Sequence, residues 1–138
     1  MYNLATWSPD CKLGGVELKA LGREATSTTS TEVELGKGKF RIVLTWTECE
    51  VDSSNEFYNI CLEANTRAAT STYYKIASLG CYGDSSRTAD TDTADTGEYE
   101  MIVDNPYDYQ VRVRSYIAGT FGTGMKYSVT AYPLADKQ

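Results

Sequence analysis

Residues 39–47, KFRIVLTWT, constrain the fold more than any other stretch. Read with a period of two, Phe40, Ile42, Leu44 and Trp46 fall on one side, and Arg41, Val43, Thr45 and Thr47 on the other. Alternation of this kind, in a run rich in β-branched and aromatic residues, argues for a strand with one buried face. Four large apolar side chains anchor a core layer, each contributing ~1.5–3 kcal/mol when fully buried.

The same period recurs along the chain. Tyr58, Ile60, Leu62 and Ala64 share a face, as do Tyr99, Met101 and Val103. Tyr109, Val111, Val113 and Ile117 form another set, and Met125, Tyr127, Val129 and Ala131 a fourth. Residues 16–21 and 72–79 read as strands, the latter with Tyr74 and Ile76 opposite Tyr73, Lys75 and Ala77. The polar run 26–31, TSTTST, favours extended backbone and leads into Val33 and Leu35, so 26–35 reads as one strand near an edge. Gly36, Lys37 and Gly38 then predict a hairpin into 39–47, and GTFGTG at 119–124 a second hairpin. Residues 65–71 read as a polar connection and 80–97 as a surface loop. About eight antiparallel strands without a helix predict an all-β sandwich, a jelly roll before an immunoglobulin-like fold. Asp95, Gly97 and Tyr99 match the corner of the immunoglobulin fold, but Met101 stands where its cysteine would be.

The length of 138 residues suits one domain, and an apolar content of 41% supplies a core. We divide it into an arm, 1–15, and a sandwich domain, 16–138. The arm places Tyr2, Leu4 and Trp7 before a turn at Pro9, side chains too apolar to be left in water. A net charge of −6 disfavours nucleic acid and anionic membrane as partners. No apolar run reaches the ~20 residues of a membrane helix. The N-terminal residues lack the basic and apolar regions of a signal peptide, so synthesis in a cytoplasm is expected. The four cysteines, Cys11, Cys49, Cys61 and Cys81, form no CxxC pair and read as free, mostly buried thiols.

With no histidine, neither a Ser-His-Asp nor a Cys-His nucleophile system exists. There is no Walker loop, and the glycines of GTFGTG read as a turn and not as a phosphate cradle. No carboxylate pair stands out, so no catalytic residue, cofactor or metal site is assigned. Asp90 and Asp92 begin like a calcium loop, but the sixth and twelfth positions are Asp95 and Met101 where an EF-hand needs Gly and Glu. The acids Asp84, Asp90, Asp92 and Asp95 therefore read as a solvated loop.

Charge is uneven. Residues 84–104 hold seven acids and one base, whereas 12–41 hold six bases and four acids. Arg112, Arg114 and Tyr116 form a row on one face of a late strand, the residue types that protein interfaces enrich. The pattern of 99–103, a turn, 109–117, GTFGTG and 125–132 resembles the closing strands of jelly-roll cement or decoration proteins on tailed-bacteriophage capsids, of the Bordetella podophage type. The resemblance implies a virion protein made in a host cytoplasm, bound to a major capsid protein or another assembly subunit, as a homodimer. The expected interface is Tyr2, Leu4 and Trp7 on the arm with Arg112, Arg114 and Tyr116 on the strand. The alternative is a carbohydrate-binding module, with exposed tyrosines as stacking platforms.

Overall fold

The computed structural model describes residues 14–50, 56–82 and 96–134, the side chains of 80–82 excepted. Every regular element among them is a strand. In chain order these are β1 (Val16–Glu24), β2 (Val33–Glu34), β3 (Gly38–Cys49), β4 (Phe57–Thr66), β5 (Ala69–Tyr82), β6 (Gly97–Asn105), β7 (Gln110–Ala118) and β8 (Met125–Pro133).

They form two four-stranded antiparallel sheets, ordered β1-β8-β3-β6 and β2-β7-β4-β5. The pairs β1·β8, β2·β7, β3·β6 and β4·β5 are those of a single long hairpin folded at the β4–β5 turn. The pairs β3·β8 and β4·β7 roll that ribbon into a sandwich. This is the order of a jelly roll, and it differs from the immunoglobulin order.

The alternating apolar sets supply the layer between the sheets. Phe40, Ile42 and Leu44 face Tyr58, Ile60, Leu62 and Ala64, with Val111, Val113, Met125, Tyr127, Val129 and Ala131 completing one core. Trp46, expected in the same layer, is only partly buried and packs at its margin. It sits opposite Gly97 of β6, and a Cβ there would overlap the indole. A register shift just after Trp46 turns Cys49 inward against Met125. β4 is buried on both faces, since Cys61, Glu63 and Asn65 are covered as well.

Both expected hairpins are instead arches between the sheets. β3 already has β8 on one edge and β6 on the other, so β2 cannot pair with it. β8 is likewise flanked by β1 and β3, so β7 lies in the opposite sheet. The only tight hairpin between consecutive strands among the described residues is β4–β5, whose turn is Arg67 and Ala68. The polar connection expected at 65–71 is therefore mostly strand. Asn65 makes this work: its amide donates to Thr70 O (2.8 Å) and Gln110 Oε1 (3.1 Å), and its Oδ1 accepts from Gln110 N (2.7 Å).

β5 also runs on to Tyr82, into the stretch expected to be loop. Bulges in β5 put Ala77 opposite Leu62 on the inner side, against the simple alternation. Residues 26–35 are not one strand; only Val33 and Glu34 pair regularly, with a lone bridge between Thr29 and Arg114. The hydroxyls are the cause. Val113 N donates to Ser30 Oγ (2.9 Å) and Ile117 N to Ser27 Oγ (2.8 Å), so side chains take places that carbonyls fill in a regular ladder.

Candidate interaction surface

The outward row of β7 is where the alternation places it. Val111, Val113 and Ser115 point into the core, so Arg112, Arg114 and Tyr116 line the outer face of sheet β2-β7-β4-β5. Beside them on β4, Glu63 stands opposite Arg112, Cys61 opposite Arg114 and Asn59 opposite Tyr116. Phe57 and Tyr116 are both exposed at that end of the face. Tyr2, Leu4 and Trp7, the arm half of the expected interface, lie outside the described residues, as does the acidic loop Asp84 to Asp95.

The two arginines of the row differ. Arg112 Nε donates to Glu63 Oε1 at 2.9 Å, and its guanidinium lies 3.6 Å over the ring of Tyr73. The side chains of this pair are only 18% and 9% exposed, so Arg112 is a brace within the fold. Burial, with Glu32 adding to it, pushes the Tyr73 hydroxyl above its usual range. Arg114 stacks on Tyr116 at 5.0 Å and has no carboxylate within ion-pair distance among the described residues.

The abundance of tyrosine has a structural account in such pairs. Arg41 lies over Tyr132 (4.4 Å), Arg67 over Tyr109 (4.4 Å) and Lys19 over Tyr127 (4.1 Å). Tyr74 and Tyr107 stack on each other with centroids 4.9 Å apart. Of the 11 tyrosines in the chain, those in these pairs mostly take partners from other strands, which the local sequence does not reveal.

Two buried polar clusters have their groups committed internally. The glycine-rich arch does cradle an anion, the carboxylate of Glu50. Gly122 N, Thr123 N, Thr123 Oγ1 and Gly124 N donate to it at 2.6–3.1 Å. Burial alone would raise the Glu50 carboxyl, but the amides of Gly124, Thr123 and Gly122 and the Thr123 hydroxyl outweigh it and hold it at about 2. In the second cluster Glu24 accepts from Thr28 Oγ1 (2.6 Å), Ser115 Oγ (2.9 Å) and Tyr127 Oη (2.7 Å). Lys19 Nζ stands 3.7 Å from it; burial lowers the lysine against the pull of Glu24. The Tyr127 hydroxyl is raised by burial and by Glu24.

A cleft of about 270 Å³ between Leu35, Phe40 and Leu134 is rimmed by Lys37 and Lys39, and none of the described residues lining it carries a carboxylate or thiol. Among the described residues no group of three or more Cys, Asp or Glu could hold a metal ion. Of the cysteines, Cys49 and Cys61 are buried, and the Cys61 thiol donates to Asn59 Oδ1 at 3.6 Å. Cys11 and the side chain of Cys81 lie outside the described residues. Compared with known proteins, the chain matches no family model and no curated protein sequence.

Proposed function

We propose that this chain is a structural subunit of a protein assembly, a cement or decoration protein that binds a capsid lattice through the outer face of sheet β2-β7-β4-β5. The observation that carries this reading is the make-up of that face. On that face Arg112 is braced by Glu63 and Tyr73, Tyr116 and Phe57 are exposed, and Arg114 lies half-buried over Tyr116 with no carboxylate partner among the described residues. Arginine and aromatic side chains carry interface energy out of proportion to their number. The jelly-roll order agrees with the resemblance of the closing strands to capsid decoration proteins.

A carbohydrate-binding module is less well supported. Sugar stacking needs bare aromatic faces, and of the exposed tyrosines among the described residues Tyr116 has Arg114 over one face and Tyr74 is stacked on Tyr107, which leaves Tyr99 on β6, in the other sheet, as a single open platform.

Mass spectrometry of gradient-purified particles from the source organism tests the proposal. The chain is expected at a fixed ratio to the major shell protein, and Arg114→Glu with Tyr116→Ala is expected to stay folded and leave the particle fraction. A chain absent from every particle fraction overturns the reading.

A further inference from the structure

The cleft of about 270 Å³ lies at one end of the sandwich, where β2 ends, β3 begins and β8 ends. Phe40 lines it from the core and Leu35 from against the core, with Pro133 and Leu134 on one side and Lys37 and Lys39 on the rim. Its walls are tied. Asn105 Nδ2 donates to Gly36 O at 2.8 Å, and Leu134 N donates to Lys39 O at 3.0 Å. Leu134 still keeps 39% of its surface exposed. The volume falls below the ~300–1,000 Å³ of sites for drug-sized ligands and suits one or two side chains.

Two stretches outside the described residues start at this end of the sandwich, 1–13 and 135–138. Val16 pairs with Ala131 and Phe40 with Pro133, so β1 carries the chain back to Gly14 beside Pro133, two strands from Phe40. A Cβ at Gly15 would stand 2.8 Å from Tyr132 Cε1, so the chain is close against β8 where it leaves. Residues 51–55 and 83–95 are tied at both ends to the far end of the sandwich, where Cys49 pairs with Met125, Tyr58 with Tyr82 and Trp46 with Gly97. Residues 135–138, ADKQ, bring no large apolar side chain, whereas 1–13 bring Tyr2, Leu4 and Trp7.

We propose that Trp7 seats in this cleft of its own chain, so that the arm folds back as a strap over the end of the core. The inference is independent of the capsid reading, and it takes Trp7 out of the expected partner interface. Reach allows it. Two strand spacings, ~10 Å, separate β1 from β3. The chain from Trp7 to Gly14 spans at most ~25 Å, which leaves slack for the turn at Pro9. The tether selects the chain's own cleft over that of a second copy, since a link this short sets an effective concentration of about a millimolar. Charge has no part in the choice, because Lys39 has Asp104 opposite it in register and the arm carries Asp10 beside Lys12. The gain is apolar: the indole and the exposed part of Leu134 leave water together.

The test labels the full chain with fluorotryptophan, which gives two fluorine resonances, the Trp7 one assigned by its loss in Trp7→Phe. In the parent, Trp7 is expected to show a small shift between H2O and D2O, as a ring out of solvent does. Leu134→Glu is expected to move Trp7 to the position and full isotope shift of an exposed indole. The Trp46 resonance, at the far end, should stay where it is and so report that the domain remains folded. Leu21→Glu, at an exposed apolar residue on β1, is expected to change neither. Trp7→Ala lies outside the sandwich and tests the same contact from the other side. It should return the Leu134 methyl resonances, shifted by the ring, to their ordinary position. A solvent-exposed Trp7 in the parent, a seated Trp7 that Leu134→Glu leaves in place, an equal response to Leu21→Glu, or unmoved Leu134 methyls overturns the seat. A mixture of Trp7→Phe and Leu134→Glu chains at micromolar concentration decides whose cleft is used. No seated Trp7 is expected there, and its reappearance overturns the choice of the chain's own cleft over that of a second copy.

Discussion

Arg112 and Arg114 are two residues apart on one strand, yet they should answer mutation very differently. Removing Arg112 strands Glu63, whose side chain is 9% exposed, without its cation. Arg112→Gln is expected to cost about 2–3 kcal/mol in urea unfolding, somewhat under the cost of breaking a fully buried pair. Arg114→Gln should cost less, under about 1 kcal/mol, since the half-buried Arg114 loses a contact with Tyr116 but leaves no carboxylate stranded among the described residues. Equal losses would mean that both arginines are structural. Glu50 gives the second prediction at this scale. Its folded pKa of about 2 lies below the ~4.3 of an unperturbed glutamate. Its stabilisation is therefore complete above the unfolded value and is lost as pH falls through the folded one. Glu50→Gln should cost about 1–3 kcal/mol at neutral pH, since the charge is lost and one of the two acceptor oxygens becomes an NH2 that meets an amide donor. The gap between parent and variant should close between about pH 4 and about pH 2.

At the level of elements, the Ser/Thr-rich edge shows how side chains replace a strand. Ser27→Ala with Ser30→Ala removes the acceptors of Ile117 N and Val113 N. Those two amides are expected to exchange with solvent at least about tenfold faster, a loss of order one hydrogen bond each. On β3, Leu44→Ala should cost about 2–5 kcal/mol, the range for emptying a closed core site. Trp46→Ala should cost less than the 3–5 kcal/mol of a fully buried aromatic, because the ring is partly exposed. The inward sets of β3, β4, β7 and β8 were legible in the sequence because period-two burial is local. The row of Arg112, Arg114 and Tyr116 followed from the same rule. The arches were not legible. Glycines at 36 and 38, and at 119, 122 and 124, announce a reversal, but the same chemistry serves a turn within a sheet and a crossing between sheets. Nor was the difference between Arg112 and Arg114 legible, since it lies in Glu63 and Cys61, about fifty residues away, and needs the β4·β7 register.

For the molecule as a whole, the ribbon topology places nearly all of its pairing between distant parts of the chain. Val16 pairs with Ala131 and Val33 with Val111; among the described residues only β4·β5 is local. Loop closure must then precede most contacts, and refolding by stopped flow is expected on the millisecond-to-second scale of all-β domains. Refolding within microseconds would contradict this order of assembly. The pairing of β1 with β8 also decides how the domain bears load. The strands that begin and end the ribbon are antiparallel neighbours, with Val16 beside Ala131. Tension applied through residues 16 and 133 would peel them apart one hydrogen bond at a time, as a zip opens, and would not shear many bonds at once. A domain built in this way is mechanically weak when pulled through residues 16 and 133 and resists far better when gripped across a sheet face.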